Sequence, residues 1–321
     1  MRIISGTEPI TVEHPVFLVF GQPGIGKSSL GYSADEPLLL DADRGAHRAV
    51  NRRDTIQVDS WADINELTES AEIIAKYQTI VPDTVGRVLD FLAVQLMEQN
   101  PKFDRGGGAL SLQGYGALKS GFKLWLDRVR ALGKDVVLIA HGKEDKDGDS
   151  LIVRPDATGG SYGELMKIAD FVGYVYMRGK DRVLDFNPTD RWVGKNPAQW
   201  KPILLPPAEK ATHVMADLMV KGREALGAIS GESAKITQQV DDWRSQIETF
   251  TTPNECSQAV EDIAKLSAIA APQVKKLLWD RSKALGFTFD AKTKLFVDPT
   301  SASKGKRDAK AGELTASEIP F

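Results

Sequence analysis

The chain has 321 residues, of which 42% are hydrophobic and 26% charged, a composition that fits a soluble globular protein and excludes wholesale disorder or a fibrous repeat. The formal net charge is −3, so the chain lacks the strongly basic composition of a histone-like protein, and any contact with nucleic acid has to come from local patches. The single cysteine, Cys256, excludes an internal disulfide framework and a multi-cysteine zinc site.

The apolar segments of the sequence are short. The longest runs, such as Val16 to Phe20 and Val136 to Ala140, fall far below the roughly 20 residues that span a bilayer. No signal peptide opens the sequence, and the single cysteine fits a reducing compartment. We therefore expect a cytoplasmic protein with no membrane partner.

Residues 15–205 alternate short apolar runs with amphipathic segments and glycine-bearing loops, a pattern typical of β-α-β units around a mostly parallel sheet. Five candidate strands are apolar enough to be covered on both faces: Val16 to Phe20, Leu38 to Leu40, Thr79 to Val81, Val136 to Ala140 and Phe171 to Met177. A terminal hairpin of Val183 to Phe186 and Arg191 to Val193 is expected next, with residues 187–190 as its turn. The sequence thus predicts an α/β core over residues 1–207.

Helix signals replace strand signals after the proline-rich segment Pro202 to Pro207. The residues Thr252 to Glu255 form a capping-box pattern with proline at the first helical position, and a further helix is expected from Pro272 until Gly286 stops it. Residues 208–297 are therefore predicted to form a small helical module. Residues 298–321 are mostly small, charged and polar, which predicts a flexible tail.

The segment directly after the first candidate strand is a complete G-x-x-x-x-G-K-S phosphate loop. Its glycines let consecutive backbone N–H groups face phosphate oxygens, and the helix that follows adds its positive N-terminal end. We expect Lys27 to reach the β- and γ-phosphates and the hydroxyl of Ser28 to hold Mg²⁺. The predicted nucleotide-binding residues are Gly21, Gln22, Pro23, Gly24, Ile25, Gly26, Lys27, Ser28 and Ser29.

Carboxylates end two further candidate strands. Asp83, at the end of the third strand, is expected on the metal side of the phosphates. Asp41 and Asp43 end the second strand, and Asp43 is a candidate to orient or deprotonate the attacking water. The alternative is that both acids only cap the loop or pair with Arg44 and Arg48.

A histidine, His141, closes the strand Val136 to Ala140. At that position its ring can contact the γ-phosphate and sense hydrolysis from the edge of the sheet. A purely structural role for the ring is the alternative.

Taken in order along residues 15–180, the phosphate loop, the strand ending in Asp43, the strand ending in Asp83 and the strand ending in His141 resemble the RecA-type core. The resemblance is specifically to phage RecA-like P-loop ATPases, which are AAA-type phage nucleotide-binding proteins associated with single-strand annealing and recombination. It implies Mg²⁺-dependent hydrolysis of ATP, with Lys27, Asp43 and His141 as catalytic residues. Such proteins usually carry glutamate at the position of Asp43, so slow hydrolysis is expected.

The same resemblance implies that single-stranded DNA and further copies of the chain are partners, and that the protein promotes annealing or strand pairing in an infected bacterial host. The DNA-facing loops would be residues 102–116 and 141–162. Aromatic rings stack bases and basic groups follow phosphates without sequence preference. The candidate DNA-binding residues are Phe103, Arg105, Tyr115, Lys143, Lys146 and Arg154. Solvated loops without a DNA contact are the alternative, because Glu144, Asp145, Asp147, Asp149 and Asp156 dilute the basic charge of the second loop.

The last three residues, Ile319, Pro320 and Phe321, follow Glu318 and resemble the acidic C-terminal tip of bacterial single-strand-binding proteins. In such a tip the terminal phenylalanine fills an apolar pocket and its carboxylate meets a basic residue. The resemblance implies docking of a replication or recombination protein. A chance match or a local docking role is the alternative.

Three other functions are compatible with parts of the sequence. A GTPase fits the D-x-x-G pattern at Asp83 to Gly86 and, nearly, the guanine-reading N-K-x-D pattern at Gly142 to Asp145. A small-molecule kinase fits the phosphate loop alone. A nucleotide-switched adaptor would bind nucleotide without turnover and recruit replication or repair proteins through the helical module and tail.

Overall fold

The computed structural model of the protein describes residues 3–148, 150–157 and 161–299. The chain divides into two compact units, Thr11–Leu226 and a smaller one that joins Met1–Ile10 with Gly227–Phe321. The domain boundary predicted after residue 207 falls inside the larger unit, because residues 208–226 group with it. The physical reason is apolar burial, because Met215, Leu218 and Met219 contribute to the core on one face of its sheet.

Strands and helices alternate along the larger unit. Its strands are β1 (Val16–Gly21), β2 (Pro37–Asp41), β3 (Thr55–Gln57), β4 (Thr79–Asp83), β5 (Asp135–Asp147), β6 (Ser150–Pro155), β7 (Phe171–Arg178), β8 (Asp181–Asp185) and β9 (Ile203–Leu205). Its helices are α1 (Lys27–Gly31), α2 (Trp61–Glu66), α3 (Ala71–Lys76), α4 (Val85–Gln99), α5 (Leu112–Ala131), α6 (Tyr162–Ile168) and the first turns of α7 (Val214–Glu248).

The strands form one sheet, which within the described residues has nine strands in the order β3-β2-β4-β5-β1-β7-β8-β9, with β6 paired to β5. Neighbours from β3 to β7 run parallel. The pairs β7/β8, β8/β9 and β5/β6 are antiparallel. This mixed α/β architecture with a mostly parallel sheet confirms the fold class predicted from the sequence, a RecA-like P-loop NTPase core.

The predicted hairpin of residues 183–186 and 191–193 is wrong. β8 pairs with β7 on one side and with β9 on the other, whereas Trp192 makes only an isolated bridge to Val153. A two-residue turn at Gly179 and Lys180 connects β7 to β8 directly, and Gly179 has a φ of +64°. The sequence signal for that turn was a single glycine, which was weaker than the Asn-Pro pair that follows β8.

Both faces of the central part of the sheet are buried. Successive side chains of a strand point to opposite faces, so Val16, Leu18 and Phe20 of β1 lie in one apolar cluster and Phe17 and Val19 lie in the other. The first cluster is covered by α2, α4 and α5, and the second by α1 and the start of α7. Because helices cover both faces, the side chains on both sides of the central strands are apolar, and these strands are continuous apolar runs in the sequence.

The smaller unit has its own core and contains the rest of α7, then α8 (Pro253–Ile263), α9 (Ala270–Ala284), β10 (Thr288–Asp290) and β11 (Leu295–Val297). The predicted capping box is confirmed, because Thr252 accepts from the backbone of Glu255 and Glu255 accepts from the backbone of Thr252. The predicted helical module is confirmed, and β10 and β11 add a short antiparallel hairpin that the sequence analysis did not predict. Strands of three residues are too short to show the alternation of apolar and polar residues that identifies a strand in a sequence.

Among the residues that the structure describes, no helix is both long enough and apolar enough to cross a bilayer.

Candidate active site

β1, β2 and β4 end at one edge of the sheet, where β5 continues past the core, because these four strands are parallel neighbours. Their register places Gly21 beside His141 and Asp41 beside Asp83. A cavity of about 510 Å³ lies at this edge, and its lining includes Lys27, Ser28, Asp41, Asp43, Asp83 and His141. The fold thus brings the phosphate loop, the predicted carboxylates and the histidine into one site.

The phosphate loop occupies the turn between β1 and α1. Gly24 and Gly26 have φ values of +76° and +93°, a region that other residues rarely adopt. A side chain at Gly21 would place its Cβ 2.5 Å from the backbone oxygen of Val175, so glycine is also required where β1 meets β7. Glycine is therefore required at all three positions, for its backbone conformation at Gly24 and Gly26 and for space at Gly21.

The ammonium of Lys27 lies inside the loop. Its Nζ donates to the backbone oxygen of Gly21 at 3.0 Å and to that of Gln22 at 2.9 Å. The side chain is buried, and loss of hydration lowers the pKa of Lys27 while the nearby carboxylates Asp83 and Asp43 oppose that shift. A buried cation held by carbonyl oxygens is a suitable partner for phosphate.

A hydroxyl and a carboxylate meet on the metal side of the cavity. Ser28 Oγ donates to Asp83 Oδ2 at 2.6 Å, and Asp83 is buried at the end of β4. Burial raises the pKa of Asp83, because its charge is poorly solvated there. Both oxygens are ligands of the type that Mg²⁺ prefers, and a bound cation would compensate the buried charge.

The described residues contain no cluster of three or more metal-ligating side chains. Mg²⁺ in nucleotide sites is commonly held by one or two protein oxygens, with phosphate oxygens and water as its other ligands. The Ser28 and Asp83 oxygens therefore fit a magnesium ion that arrives with a nucleotide.

Asp43 belongs to a small hydrogen-bonded network. His141 Nε2 lies 3.2 Å from Asp43 Oδ2, and Thr84 Oγ1 donates to the same oxygen at 3.0 Å. The hydrogen bond from His141 is the main cause that lowers the pKa of Asp43, and the bond from Thr84 adds to it. Asp43 is therefore a charged carboxylate at the wall of the cavity, able to orient water.

Asp41 has a different role from Asp43. Its two carboxylate oxygens accept from the backbone N–H groups of Gly45 and Ala46 at 2.8 and 2.9 Å. The capping alternative therefore applies to Asp41. Arg44 pairs with Asp59, whereas Asp43 contacts His141 and Thr84. Sequence reasoning missed Thr84 because its signal, a hydroxyl next to Asp83, is common in loops.

A second cavity, of about 930 Å³, adjoins the phosphate loop on its other side. Its lining combines loop residues with side chains of β7 and β8, among them Tyr174, Tyr176, Met177 and Arg182. Burial raises the pKa of Tyr174, which keeps its hydroxyl neutral. An apolar, partly aromatic cavity beside a phosphate loop has room for a nucleoside. The alternating tyrosines of β7 were the available sequence signal.

The first group of predicted DNA-binding residues lies around α5. Phe103 and Tyr115 pack partly against the core, so their rings are less accessible than the sequence analysis assumed. Arg105 is exposed in the loop between them, which a bridge between Asp104 and Leu110 closes. The loop tip is the run Gly106 to Gly108, whose φ values are all positive and whose surroundings are open.

The second group lies on one hairpin, formed by β6 and the outer half of β5. Lys146 is exposed there, and Lys143 lies 3.9 Å from Asp156. Arg154 donates to Asp145 at 3.1 Å and lies over the ring of Tyr162, 5.5 Å from its centroid. His141 lies where β5 leaves the core. The predicted tip at Ile319, Pro320 and Phe321 lies outside the described residues.

A phosphate loop at the carboxyl edge of a parallel sheet, with a serine-aspartate pair beside its lysine and a second carboxylate facing the same cavity, is typical of P-loop nucleoside triphosphatases. The family comparison agrees: a family model described as AAA domain matches residues 13–198, which is more than half of the chain. The protein belongs to this AAA domain family.

No protein with a curated function matches the chain. Among solved structures, the chain is similar to one reported in a "structural and biochemical analysis of a prototypical ATPase from the type III secretion system of pathogenic bacteria". The two are 16% identical, the TM-score is 0.34, and the match covers 50% of this chain and 51% of the other. The chain thus spans about half of that protein, and a likeness at this TM-score carries no argument about function.

Proposed function

We propose that the protein hydrolyses Mg²⁺-ATP slowly, in a reaction that single-stranded DNA stimulates, and that it promotes annealing or strand pairing in phage recombination. One observation carries the catalytic part: Asp43, held charged by His141 and Thr84, lines the same cavity as Lys27, Ser28 and Asp83. A water-orienting carboxylate and a complete phosphate cradle are the two parts that γ-phosphate hydrolysis requires.

In this mechanism Lys27 exchanges its carbonyl partners for phosphate oxygens, and the amides of the phosphate loop hold the β-phosphate. Ser28 and Asp83 would hold Mg²⁺, which neutralises charge that develops on the phosphate oxygens. Asp43 orients water in line with the γ-phosphate and accepts its proton. His141 keeps Asp43 charged before the attack, and its position at the cavity wall lets it respond when the γ-phosphate leaves.

The proposed stimulation of hydrolysis by DNA is supported by the continuity of β5. This strand runs without a break from the buried core through His141 into the exposed hairpin that bears Lys143 and Lys146. DNA bound to the hairpin would therefore lie on the same strand as His141, which contacts Asp43. Exposed lysines can contact the phosphates of a single strand without sequence preference. Annealing, assembly with further copies and docking through the C-terminal tip are proposed from the resemblance in sequence.

The proposed preference for ATP over GTP is supported by the position in the fold of the near match to the guanine-binding N-K-x-D motif. Gly142 to Asp145 lie within β5, paired to β6, and none of them lines either cavity that touches the phosphate loop. A guanine base placed beside the loop would therefore have no N-K-x-D contact.

The experiment that tests the proposal measures Mg²⁺-dependent hydrolysis of ATP and GTP with and without single-stranded DNA, with Lys27→Ala as the blank. We expect turnover of ATP that rises with DNA and disappears in the blank. Preference for GTP without a response to DNA would refute the proposal. Nucleotide binding without turnover would favour the switched adaptor.

The hairpin is tested by the double variant Lys143→Ala/Lys146→Ala in the same assay and in an annealing assay. We expect normal hydrolysis without DNA and a loss of most of the DNA stimulation. Lys265→Ala is the matched control, because Lys265 is an exposed lysine of the smaller unit that pairs with Asp262 at 2.8 Å. Equal stimulation in the double variant and the control would remove the hairpin from the DNA interface.

A further inference from the structure

Arg182 of β8 belongs to none of the motifs discussed above, yet its side chain reaches the phosphate loop. Nη1 donates to the backbone oxygen of Ile25 at 3.3 Å, and Nη2 donates to the backbone oxygen of Pro206. Pro206 directly follows β9. The guanidinium therefore bridges the loop that would hold the phosphates to the segment at the end of the sheet.

The approach of Arg182 to the loop is close enough to restrict the residue at position 26. A Cβ built on Gly26 would lie 2.2 Å from Arg182 Nη1, and Gly26 has a φ of +93°. Glycine at this position therefore serves two needs, the left-handed backbone and the space that the guanidinium occupies. Arg182 and Gly26 are therefore sterically complementary.

The hydrogen bond to Ile25 has a consequence for the amide that follows. The carbonyl of Ile25 and the N–H of Gly26 belong to one planar peptide unit, in which the two groups point in opposite directions. Holding the carbonyl on the outer side of the loop therefore fixes the direction of the Gly26 N–H on the inner side. Gly26 lines the 510 Å³ cavity in which a phosphate would lie.

We propose that Arg182 is a positioning residue for the phosphate loop: it orients the Ile25–Gly26 peptide so that the Gly26 N–H is preset to donate to the phosphates of a bound nucleotide. The proposal rests on the proposed function, because it assumes that this loop holds ATP. Arginine suits the role, since a planar guanidinium can donate to two carbonyl oxygens at once, whereas a lysine ammonium is a point donor on a flexible stem.

Arg182 also lines the 930 Å³ cavity, so a contact with the nucleoside is the competing explanation. The two roles differ in their dependence on phosphate. A preset loop amide favours ATP and ADP, whose outer phosphates reach the loop, and leaves AMP nearly unaffected. A contact with the nucleoside favours all three nucleotides to the same extent.

The test is competition of ATP, ADP and AMP against a fluorescent ATP analogue on the full chain, with Mg²⁺ present. For Arg182→Ala we expect ATP and ADP to bind about tenfold or more weakly, the range for a lost charge-assisted hydrogen bond, and AMP to bind within about twofold of the native chain. Arg182→Lys should bind ATP and ADP with affinities between those of the native chain and those of Arg182→Ala. Arg178→Ala is the control, because Arg178 is an exposed arginine at the end of β7 on the same hairpin.

Addition of free guanidinium at a low concentration, matched with sodium chloride for ionic strength, should restore part of the affinity in Arg182→Ala but not in Lys27→Ala. This rescue separates positioning from a folding defect, because a misfolded chain does not recover. Native-like binding of ATP by Arg182→Ala, or an equal loss for all three nucleotides, would overturn the proposal. Failure of the native chain itself to bind ATP would instead refute the proposed function.

Discussion

Asp83 illustrates how one residue of the site opposes stability. Its carboxylate is buried beside Ser28, and burial raises its pKa. The folded chain therefore binds a proton at Asp83 more tightly than the unfolded chain does, so the ionised group destabilises the fold at neutral pH, and this cost is relieved as pH falls through the raised pKa. A cation bound beside the group would relieve the same cost.

Replacement of Asp83 by asparagine should therefore stabilise the protein without Mg²⁺ and abolish Mg²⁺-dependent hydrolysis. We expect the melting temperature of the larger unit to rise by about 2–4 °C at pH 7, the shift that ~1 kcal/mol produces in a domain of this size. Asp41→Asn is the matched control and should lower the melting temperature, because Asp41 accepts two backbone N–H groups. A decrease for Asp83→Asn, measured by calorimetry, would contradict this account.

The hydrogen bond between His141 and Asp43 should be visible in the pH dependence of hydrolysis. His141 is the main cause of the low pKa of Asp43, so His141→Ala removes that effect and raises the pKa. The acidic limb of kcat/KM, where Asp43 becomes protonated and inactive, is then expected at higher pH than in the native chain.

Thr84→Val should move the same limb in the same direction by a smaller amount, because Thr84 makes the weaker contribution to the pKa of Asp43. The measurement is kcat/KM for ATP from pH 4 to 8 in all three chains, at about equal ionic strength. If the acidic limb stays in place in His141→Ala, Asp43 is not the group whose ionisation limits the reaction.

At the scale of elements, the start of α8 depends on a local pattern. Thr252 and Glu255 exchange hydrogen bonds between side chain and backbone, and Pro253 occupies the first helical position. The hydrogen bonds from the backbone of Thr251 and Thr252 lower the pKa of Glu255, which keeps the cap charged. Each partner lies within four positions of the others in the sequence, so the pattern could be recognised without any tertiary information.

Thr252→Ala should loosen this end of α8. Loss of the cap costs about 1 kcal/mol, so we expect hydrogen exchange of the α8 amides to accelerate roughly fivefold. Thr252→Ser keeps the hydroxyl and should exchange like the native chain. Mass spectrometry of the exchanging peptides provides the measurement, and equal rates for the alanine and serine variants would show that the cap does not hold the helix end.

Strand pairing was less predictable than helix ends. The central strands were expected from their apolar runs, and β1, β2, β4, β5 and β7 cover them with changes of one or two residues for most ends. β5 extends much further, because its outer half pairs with β6. The partner of β8 was mistaken and the hairpin of β10 and β11 was missed, since pairing depends on neighbours that no short window of sequence contains.

At the scale of the whole molecule, the order of strands in the sheet decides the composition of the site. β1, β4 and β5 are far apart in sequence but adjacent in space, which places Gly21 beside His141 and brings Asp83 to the same edge. A ligand in the crevice at the carboxyl ends of parallel strands is the general rule for such sheets. The arrangement agrees with the family assignment over residues 13–198.

The sequence by itself determined the phosphate loop, the capping box of α8 and the apolar strands, because each depends on residues that are close along the chain. It also indicated Asp43, Asp83 and His141, because polar residues that end parallel strands share one edge. Only the tertiary structure showed that Asp41 caps the loop after β2, and only the tertiary structure added Thr84 and Arg182. Thr84 and Arg182 act through hydrogen bonds to residues 41 and 157 positions away, which no short window of sequence contains.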